Sequence, residues 1–191
     1  FALRPAPVQV NYLGYPGSMG ADFMDYILAD AIVAPFADQP FFSEKIVHLP
    51  GSYQVNDSRR EIAPVAPSRA EAGLPEDGFV FACLNDSYKI TAPVYDIWMR
   101  LLKKVPGSVL WLITCNPGTM AKLQSEAQAR GVDPERIVFA PRRELADHLA
   151  RQRLADLFLD TLPYNAHTTT SDALWAGLPV LTCKGDSFAG R

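Results

Sequence analysis

The segment 163–179, PYNAHTTTSDALWAGLP, concentrates residue types that can hold a phosphate and a sugar. A polar loop leads to His167, Thr168 and Thr169. Asp172 and an apolar helix follow, closed by Gly177 and Pro179. The first N–H groups of a helix have no intrahelical partner, and the helix dipole favours negative charge there. Asp172 falls about one turn further in, where a carboxylate accepts hydrogen bonds from sugar hydroxyls. A diphosphate carrying a ribose satisfies all of these groups at once. A threonine cap on a buried helix fits the same pattern, and residue types alone leave both readings open.

Lys89 follows Asn85-Asp86-Ser87-Tyr88 after the apolar run 79–83. A lysine there neutralises a diphosphate in a partly dry cleft, and its charge helps most as the leaving group gains negative charge. The plain alternative is a solvated loop lysine. Its place at a strand end, opposite His167 and the threonine pair, favours function. The sequence has no Asp-x-Asp motif and no His/Asp/Glu cluster with ligand spacing. Leaving-group charge is therefore expected to fall to Lys89, His167, helix N–H groups and hydroxyls rather than to a metal. His148, on a helical pattern, can flank a nucleobase or simply pack. His48 is assigned no chemistry. Trp98, Trp111 and Trp175 read as core packing. No Ser–His–Asp arrangement is supported, and general-base candidates are poor, so the chain looks like the donor half of a transferase.

These groups need a frame, and the pattern from residue 79 onward supplies one. Short apolar runs at 79–83, 109–113, 137–139, 157–159 and 180–182 read as strands. Between them, 91–105 has one apolar face with Thr91 as cap. A second helix opens at Asn116-Pro117 and closes at Gly131. Two more span 144–153 and 168–176. Strands alternating with helices predict a parallel sheet with helices on both faces, and ligands bind at the carboxyl ends of such strands. The loops 85–89, 115–116, 141–144 and 161–167 all fall there. Residues 1–66 differ: strand-like runs at 8–12, 26–28 and 45–49 accompany a glycine-rich loop, 14–20. That loop lacks the GxGxxG order of a dinucleotide site. The polar, proline-containing stretch 56–68 reads as a linker.

Composition narrows the function classes. Hydrophobic residues at 48% and charged residues at 20% suit a chain that buries a core. A formal charge of −3 and no basic block argue against nucleic acid. No apolar stretch approaches ~20 residues, so no membrane helix is expected. The three cysteines, Cys83, Cys115 and Cys183, are too few and too widely spaced for a disulfide framework or a zinc site. Thiols in a reducing cytoplasm are the expectation. The chain, which starts at Phe1 and ends in a loop-like stretch, is read as a piece of a longer polypeptide.

Four segments then carry a resemblance to the catalytic region of the protein O-linked N-acetylglucosamine transferases, glycosyltransferase family 41, in a bacterial-type form. They are PVQVNYLGYPGSMGADFMDYILAD (7–30), SYKI with its following helix (87–105), VPGSVLWL with RIVFAP (105–112 and 136–141), and LADLFLDTLPYNAHTTTSDALWAGLPV (154–180). The resemblance implies an α/β fold of the GT-B glycosyltransferase type, two Rossmann-like lobes with the donor in the cleft. Residues 1–66 would end the first lobe, and 67–191 would form most of the nucleotide-sugar-binding lobe, truncated at its end.

By matching position, the resemblance implies that Lys89 contacts the donor diphosphate. His167, Thr168 and Thr169 cradle the phosphates, and Asp172 binds the ribose. Arg143 and Leu145 meet the uracil through their backbone. His148 stacks near the base with Arg151 close by, and Leu13, Gly14 and Pro16 touch the sugar from the first lobe. Lys89 and His167 are the expected catalytic groups. The implied reaction is inverting and metal-independent: a Ser or Thr hydroxyl of a protein attacks while UDP leaves. No cofactor is expected beyond the UDP-sugar, and the partners are that donor and a protein acceptor presented by tetratricopeptide repeats outside the chain. The sequence departs from the family pattern at Asp86, where an amide is usual and a carboxylate repels a diphosphate. The family's proposed catalytic His and Asp would lie upstream of Phe1, so the chain alone is expected to lack transferase activity. The alternatives are a GDP-fucose or other UDP-sugar donor, a non-protein acceptor, or a non-catalytic nucleotide-sugar-binding scaffold. The missing glycine fingerprint makes a hydride-transferring Rossmann enzyme remote.

Overall fold

Short β-branched and apolar runs bounded by turns become strands of two separate parallel sheets. A computed structural model describes residues 1–15 and 17–191. The chain divides into two units, 1–57 with 184–191, and 58–183. In the first unit β1 (Val10–Asn11), β2 (Tyr26–Ala29) and β3 (Lys45–His48) lie in that order, all parallel. Ile27, Ala29 and Ile46 pack with Tyr53 and Phe188 in its core. The loop after β1 is pinned from below by Glu44, which is fully buried. Its carboxylate accepts from Met19 N at 2.7 Å and from Ser18 Oγ at 2.6 Å.

The second unit holds β4 (Val80–Cys83), β5 (Val109–Ile113), β6 (Ile137–Ala140), β7 (Leu157–Leu159) and β8 (Val180–Leu181). The order is β6-β5-β4-β7-β8, all parallel. Four helices connect them: α1 (Ala92–Lys104), α2 (Pro117–Ala129), α3 (Leu145–Arg151) and α4 (Thr168–Trp175). The walk runs outward from β4 to β6, then returns to β7 on the other side of β4. Right-handed crossovers therefore put α1 and α2 on one face and α3 and α4 on the other. Alternate strand residues agree with this for α1 and α4. Phe81, Cys83, Leu110 and Leu112 pack with Val94, Trp98 and Leu102 of α1. Val80, Ala82, Trp111 and Phe158 pack on the opposite face with Ala173 of α4. The order reverses between β4 and β7, and ligands bind parallel sheets at such a switch point.

Several local expectations are refined. Asn116 caps α2, accepting from Thr119 N at 2.8 Å. Thr91 stands at the N-cap of α1 but makes no cap hydrogen bond; its hydroxyl donates to Leu162 O at 3.1 Å instead. Trp98 and Trp111 are core residues, as expected, whereas Trp175 is 39% exposed. It lies on the outer side of α4, against Arg60 rather than the sheet. The stretch 56–68 is irregular, yet Ala63 N donates to Ala146 O of α3 at 3.1 Å, so it is tied down rather than a loose linker.

Two glycines before β4 and β5 separate backbone strain from crowding. Gly78 has φ +113°, and a Cβ there would stand 2.4 Å from the Gly107 carbonyl oxygen. Gly107 has φ +72° with open space around it. Gly107→Ala is expected to cost only the positive-φ penalty, about 1–2 kcal/mol. Gly78→Ala should cost about 1–3 kcal/mol more, since backbone must move. Urea unfolding of the two variants checks this; equal losses would refute it.

Candidate functional site

The carboxyl ends of β4 and β7 are joined by a polar bridge. Asn85, two residues beyond β4 and 1% exposed, donates from Nδ2 to Thr161 Oγ1 at 3.1 Å. Its Oδ1 accepts from Thr169 Oγ1 of α4 at 2.5 Å and lies 3.5 Å from Lys89 Nζ. Asn85 thus links two of the sequence-predicted residues, although the sequence did not single it out. Lys89 ends the short 3-10 turn Ser87–Lys89. Its ammonium also lies 3.5 Å from Asn165 O and 4.8 Å from the centre of the Tyr164 ring. Burial pulls its pKa below the ordinary lysine value, against the opposing charges of Asp160 and Asp86.

The loop before α4 is held by Asp160, at the end of β7 and 8% exposed. Oδ1 accepts from Thr161 N at 2.7 Å and Ala166 N at 2.8 Å. Oδ2 accepts from Asn165 Nδ2 at 2.9 Å and Thr182 Oγ1 at 2.7 Å. The loop delivers His167 to the N-cap position of α4, where no side chain caps the helix. Thr168 and Thr169 open the first turn, and neither is the threonine cap that the sequence left open. Among the described residues no side chain accepts from the N-cap end of the helix, which is the state that suits an anion. The His167 ring meets the Tyr164 ring edge-on at 5.6 Å.

Beside this terminus lies a cavity of about 310 Å³, lined by Leu84, Asp86, Ile113, Arg142, Arg143, Leu145, His148, Arg151 and Thr169. Six of these are sequence-predicted: Asp86, Arg143, Leu145, His148, Arg151 and Thr169. Three guanidinium groups face one carboxylate in that lining, so the cavity is cationic. Asp86 does not stand as an isolated negative charge, because Arg142 Nη2 donates to its Oδ1 at 2.7 Å. Both side chains are more than half exposed, so the pair adds little stability. It does offset the repulsion expected of that carboxylate.

Arg151 is 1% exposed and has no carboxylate partner among the described residues. It donates to Pro141 O, and from Nη2 to His148 Nδ1 at 2.7 Å, with its guanidinium carbon 5.8 Å from the Trp111 ring centre. Burial, helped by Arg143, pulls it down to about 10, which leaves it charged at neutral pH. Because arginine only donates, His148 Nδ1 must be the bare nitrogen, and its proton sits on Nε2. Burial first, then the Arg151 charge, push the imidazole down to about 4; Asp172 opposes and Arg142 assists. His148 is thus neutral through the physiological range.

Asp172, on the second turn of α4, is buried and ion-paired with Arg60. Its charge acts on His148, so it stands near the cavity without lining it. Lys89, His167 and Thr168 also lie outside the cavity lining. Leu13 and Gly14 belong to the other unit, where Leu13 holds a left-handed φ of +65° and Gly14 N donates to Tyr12 O at 2.8 Å. Pro16 lies outside the described residues. Sequence reasoning missed Asn85, Arg142, Asp160 and Arg60. Asp160 was signalled by an acidic residue directly after the apolar run 157–159; Arg60 was hidden in a stretch without periodicity. Among the described residues, no group of three or more His, Cys, Asp and Glu side chains could hold a metal, and no helix is long and apolar enough to cross a membrane.

Comparison with known proteins gives the site a context. The profile of "Glycosyl transferase family 41" matches residues 1–65 and 60–191. A "Probable UDP-N-acetylglucosamine--peptide N-acetylglucosaminyltransferase SEC" of Arabidopsis thaliana is 41% identical over 196 residues, covering 100% of this chain and 20% of that protein. A protein of Solanum lycopersicum with the same description but designated SPINDLY is 36% identical, covering 98% of this chain and 20% of its own length. Among solved structures, a mutant of the Thermobaculum terrenum O-GlcNAc transferase superposes with a TM-score of 0.82 at 34% identity, covering 100% of this chain and 36% of that one. The α/β fold of GT-B type read from the sequence is that of this match. The chain spans about a fifth of the length of these two plant relatives.

The His148 environment sets a pH dependence. Between about 6.5, the unfolded value, and about 4, the folded value, only the unfolded chain binds the proton. Stability is therefore whole above that window and is lost as pH falls through it. In chemical unfolding, His148→Gln should lose less stability than the wild type between pH 7 and pH 4.5. Parallel losses would contradict a depressed His148.

Proposed function

The chain belongs to glycosyl transferase family 41, and on that footing we propose that it forms the donor-binding part of a protein O-GlcNAc transferase. The reaction moves N-acetylglucosamine from UDP-N-acetylglucosamine to Ser or Thr hydroxyls of proteins, with inversion and without a metal. The observation that carries this reading is one of adjacency. A cationic cavity with a neutral imidazole, the buried Asp172 carboxylate, and an uncapped helix terminus with Lys89 nearby are grouped at the switch point of one sheet. A nucleoside diphosphate offers a base, a ribose and a diphosphate to these three kinds of group.

In this reading uracil enters the cavity, where Nε2–H of His148 is a donor and Arg151 holds the ring. Asp172 accepts from ribose hydroxyls. The first turn of α4, with Thr168 and Thr169, takes the diphosphate, and Lys89 stands on its other side. The acceptor hydroxyl oxygen forms the new bond to the anomeric carbon. The bond from that carbon to the diphosphate breaks, and its electron pair leaves with UDP. Lys89, His167 and the helix N–H groups stabilise that charge, most strongly where burial has removed water. The hydroxyl proton goes to a base that is assigned to no residue of this chain. Protein acceptors presented by tetratricopeptide repeats, and a cytoplasmic setting, belong to the same proposal. The names of the plant relatives specify transfer from UDP-N-acetylglucosamine to peptide, which supports this donor over GDP-fucose or another UDP-sugar.

Calorimetric titration of UDP and GDP into the protein tests the reading. UDP should bind more tightly than GDP, with EDTA leaving its affinity unchanged. Lys89→Ala should weaken UDP by about 1.5–3 kcal/mol, the range for a hydrogen bond to a charged group. The lowered Lys89 pKa adds a sign: UDP affinity should fall as pH rises toward that pKa, below the ordinary lysine value, and the fall should vanish in Lys89→Ala. A preference for GDP would move the donor to the fucosyl class. Failure to bind either nucleotide would favour a scaffold role.

A further inference from the structure

Arg60 lies in the polar stretch ahead of the second sheet, yet its side chain is only 11% exposed. Nη1 pairs with Oδ1 of Asp172, whose side chain is 9% exposed. The guanidinium carbon stands 5.3 Å from the centre of the Trp175 ring. Trp175 Nε1 in turn donates to the Arg60 carbonyl at 3.2 Å. Ala63 N, three residues on, donates to Ala146 O of α3. Side chain and backbone together clamp residues 60–63 onto the α3–α4 pair. Asp172 uses only Oδ1 in this contact, and Oδ2 accepts no hydrogen bond among the described residues.

We infer that Arg60 is a positioning residue for the nucleoside, fixing the Asp172 carboxylate so that Oδ2 is preset to accept a ribose hydroxyl. This rests on the UDP-sugar reading of the site. An aspartate has two side-chain torsions, and a buried ion pair from Nη1 to one oxygen narrows the range of both. The Trp175 ring restrains the guanidinium through its face. A carboxylate held in this way loses little further freedom when the ribose arrives, which is the physical content of preorganisation. Without Arg60, the carboxylate would have to be ordered by the ligand itself. The position is also close to the base subsite, since the Asp172 charge acts on His148.

A merely structural clip and a positioning residue differ in what they do to ribose recognition. UDP and 2′,3′-dideoxy-UDP are titrated into the wild-type chain, Asp172→Asn, Arg60→Gln and Arg60→Lys. Wild type should prefer UDP on the order of tenfold, the scale of a charged hydrogen bond. Asp172→Asn should lose that preference. Arg60→Gln should lose most of it while its affinity for the dideoxy analogue changes little. Arg60→Lys, which keeps the charge without the planar guanidinium, should be intermediate, and it decides the matter if Arg60→Gln does not fold. Equal weakening of both ligands in the Arg60 variants, or an undiminished preference, would overturn the inference alone. Absence of UDP binding by the wild type would overturn the nucleotide reading and this inference with it.

Discussion

Asp160 ends β7 inside the protein, and its carboxylate accepts four hydrogen bonds from Thr161, Asn165, Ala166 and Thr182. A buried carboxylate is costly unless its lone pairs are filled. Here the groups that fill them belong to the loop leading into α4 and to the residue directly after β8. One charge therefore determines where the loop turns, where α4 begins, and how the edge strand is tethered. Removal of those partners would leave an unpaired charge in the core, so the loop cannot relax without a large penalty. Lys89 is held over the same loop by the Asn165 carbonyl and the Tyr164 ring.

Around that anchor the sheet order does the rest. The reversal between β4 and β7 opens a crevice at the strand ends, and Asn85 spans it by bonding to Thr161, Thr169 and Lys89. On the α3 side, the buried Arg151 fixes which nitrogen of His148 carries the proton. The two halves of the site thus have different character. The cavity is cationic and offers a neutral imidazole donor, whereas the α4 terminus offers backbone N–H groups and a lysine. Asp172, held by Arg60, carries a charge that acts on His148 from the second turn of α4.

Much of this was legible in the sequence because it depends on local rules. The strands of the second unit announced themselves as apolar runs, β4 and β5 buried on both faces, and Asn116-Pro117 marked the start of α2. His167 through Asp172 stood out because hydroxyls and a carboxylate one turn apart are unusual at a helix start. What stayed hidden depends on contacts distant in sequence. Thr91 had the type and place of a cap, but Leu162, 71 residues away, takes its hydroxyl. Asp86 looked repulsive because its partner Arg142 comes from another loop, 56 residues on. Arg60 had no periodic neighbours to mark it, and its ion pair with Asp172 reaches across 112 residues. Trp175 was read as core because tryptophan usually packs inward; here its ring faces Arg60.

The most direct test of a nucleotide site at the β4–β7 switch point is a crystal structure of the chain soaked with UDP. The account predicts uracil in the cavity beside His148 and Arg151, and ribose hydroxyls within hydrogen-bond distance of Asp172. The diphosphate should lie at the first turn of α4, within reach of Lys89. Nucleotide bound elsewhere, such as the apolar groove between α1 and the β7–β8 edge, or a diphosphate turned away from α4, would contradict it.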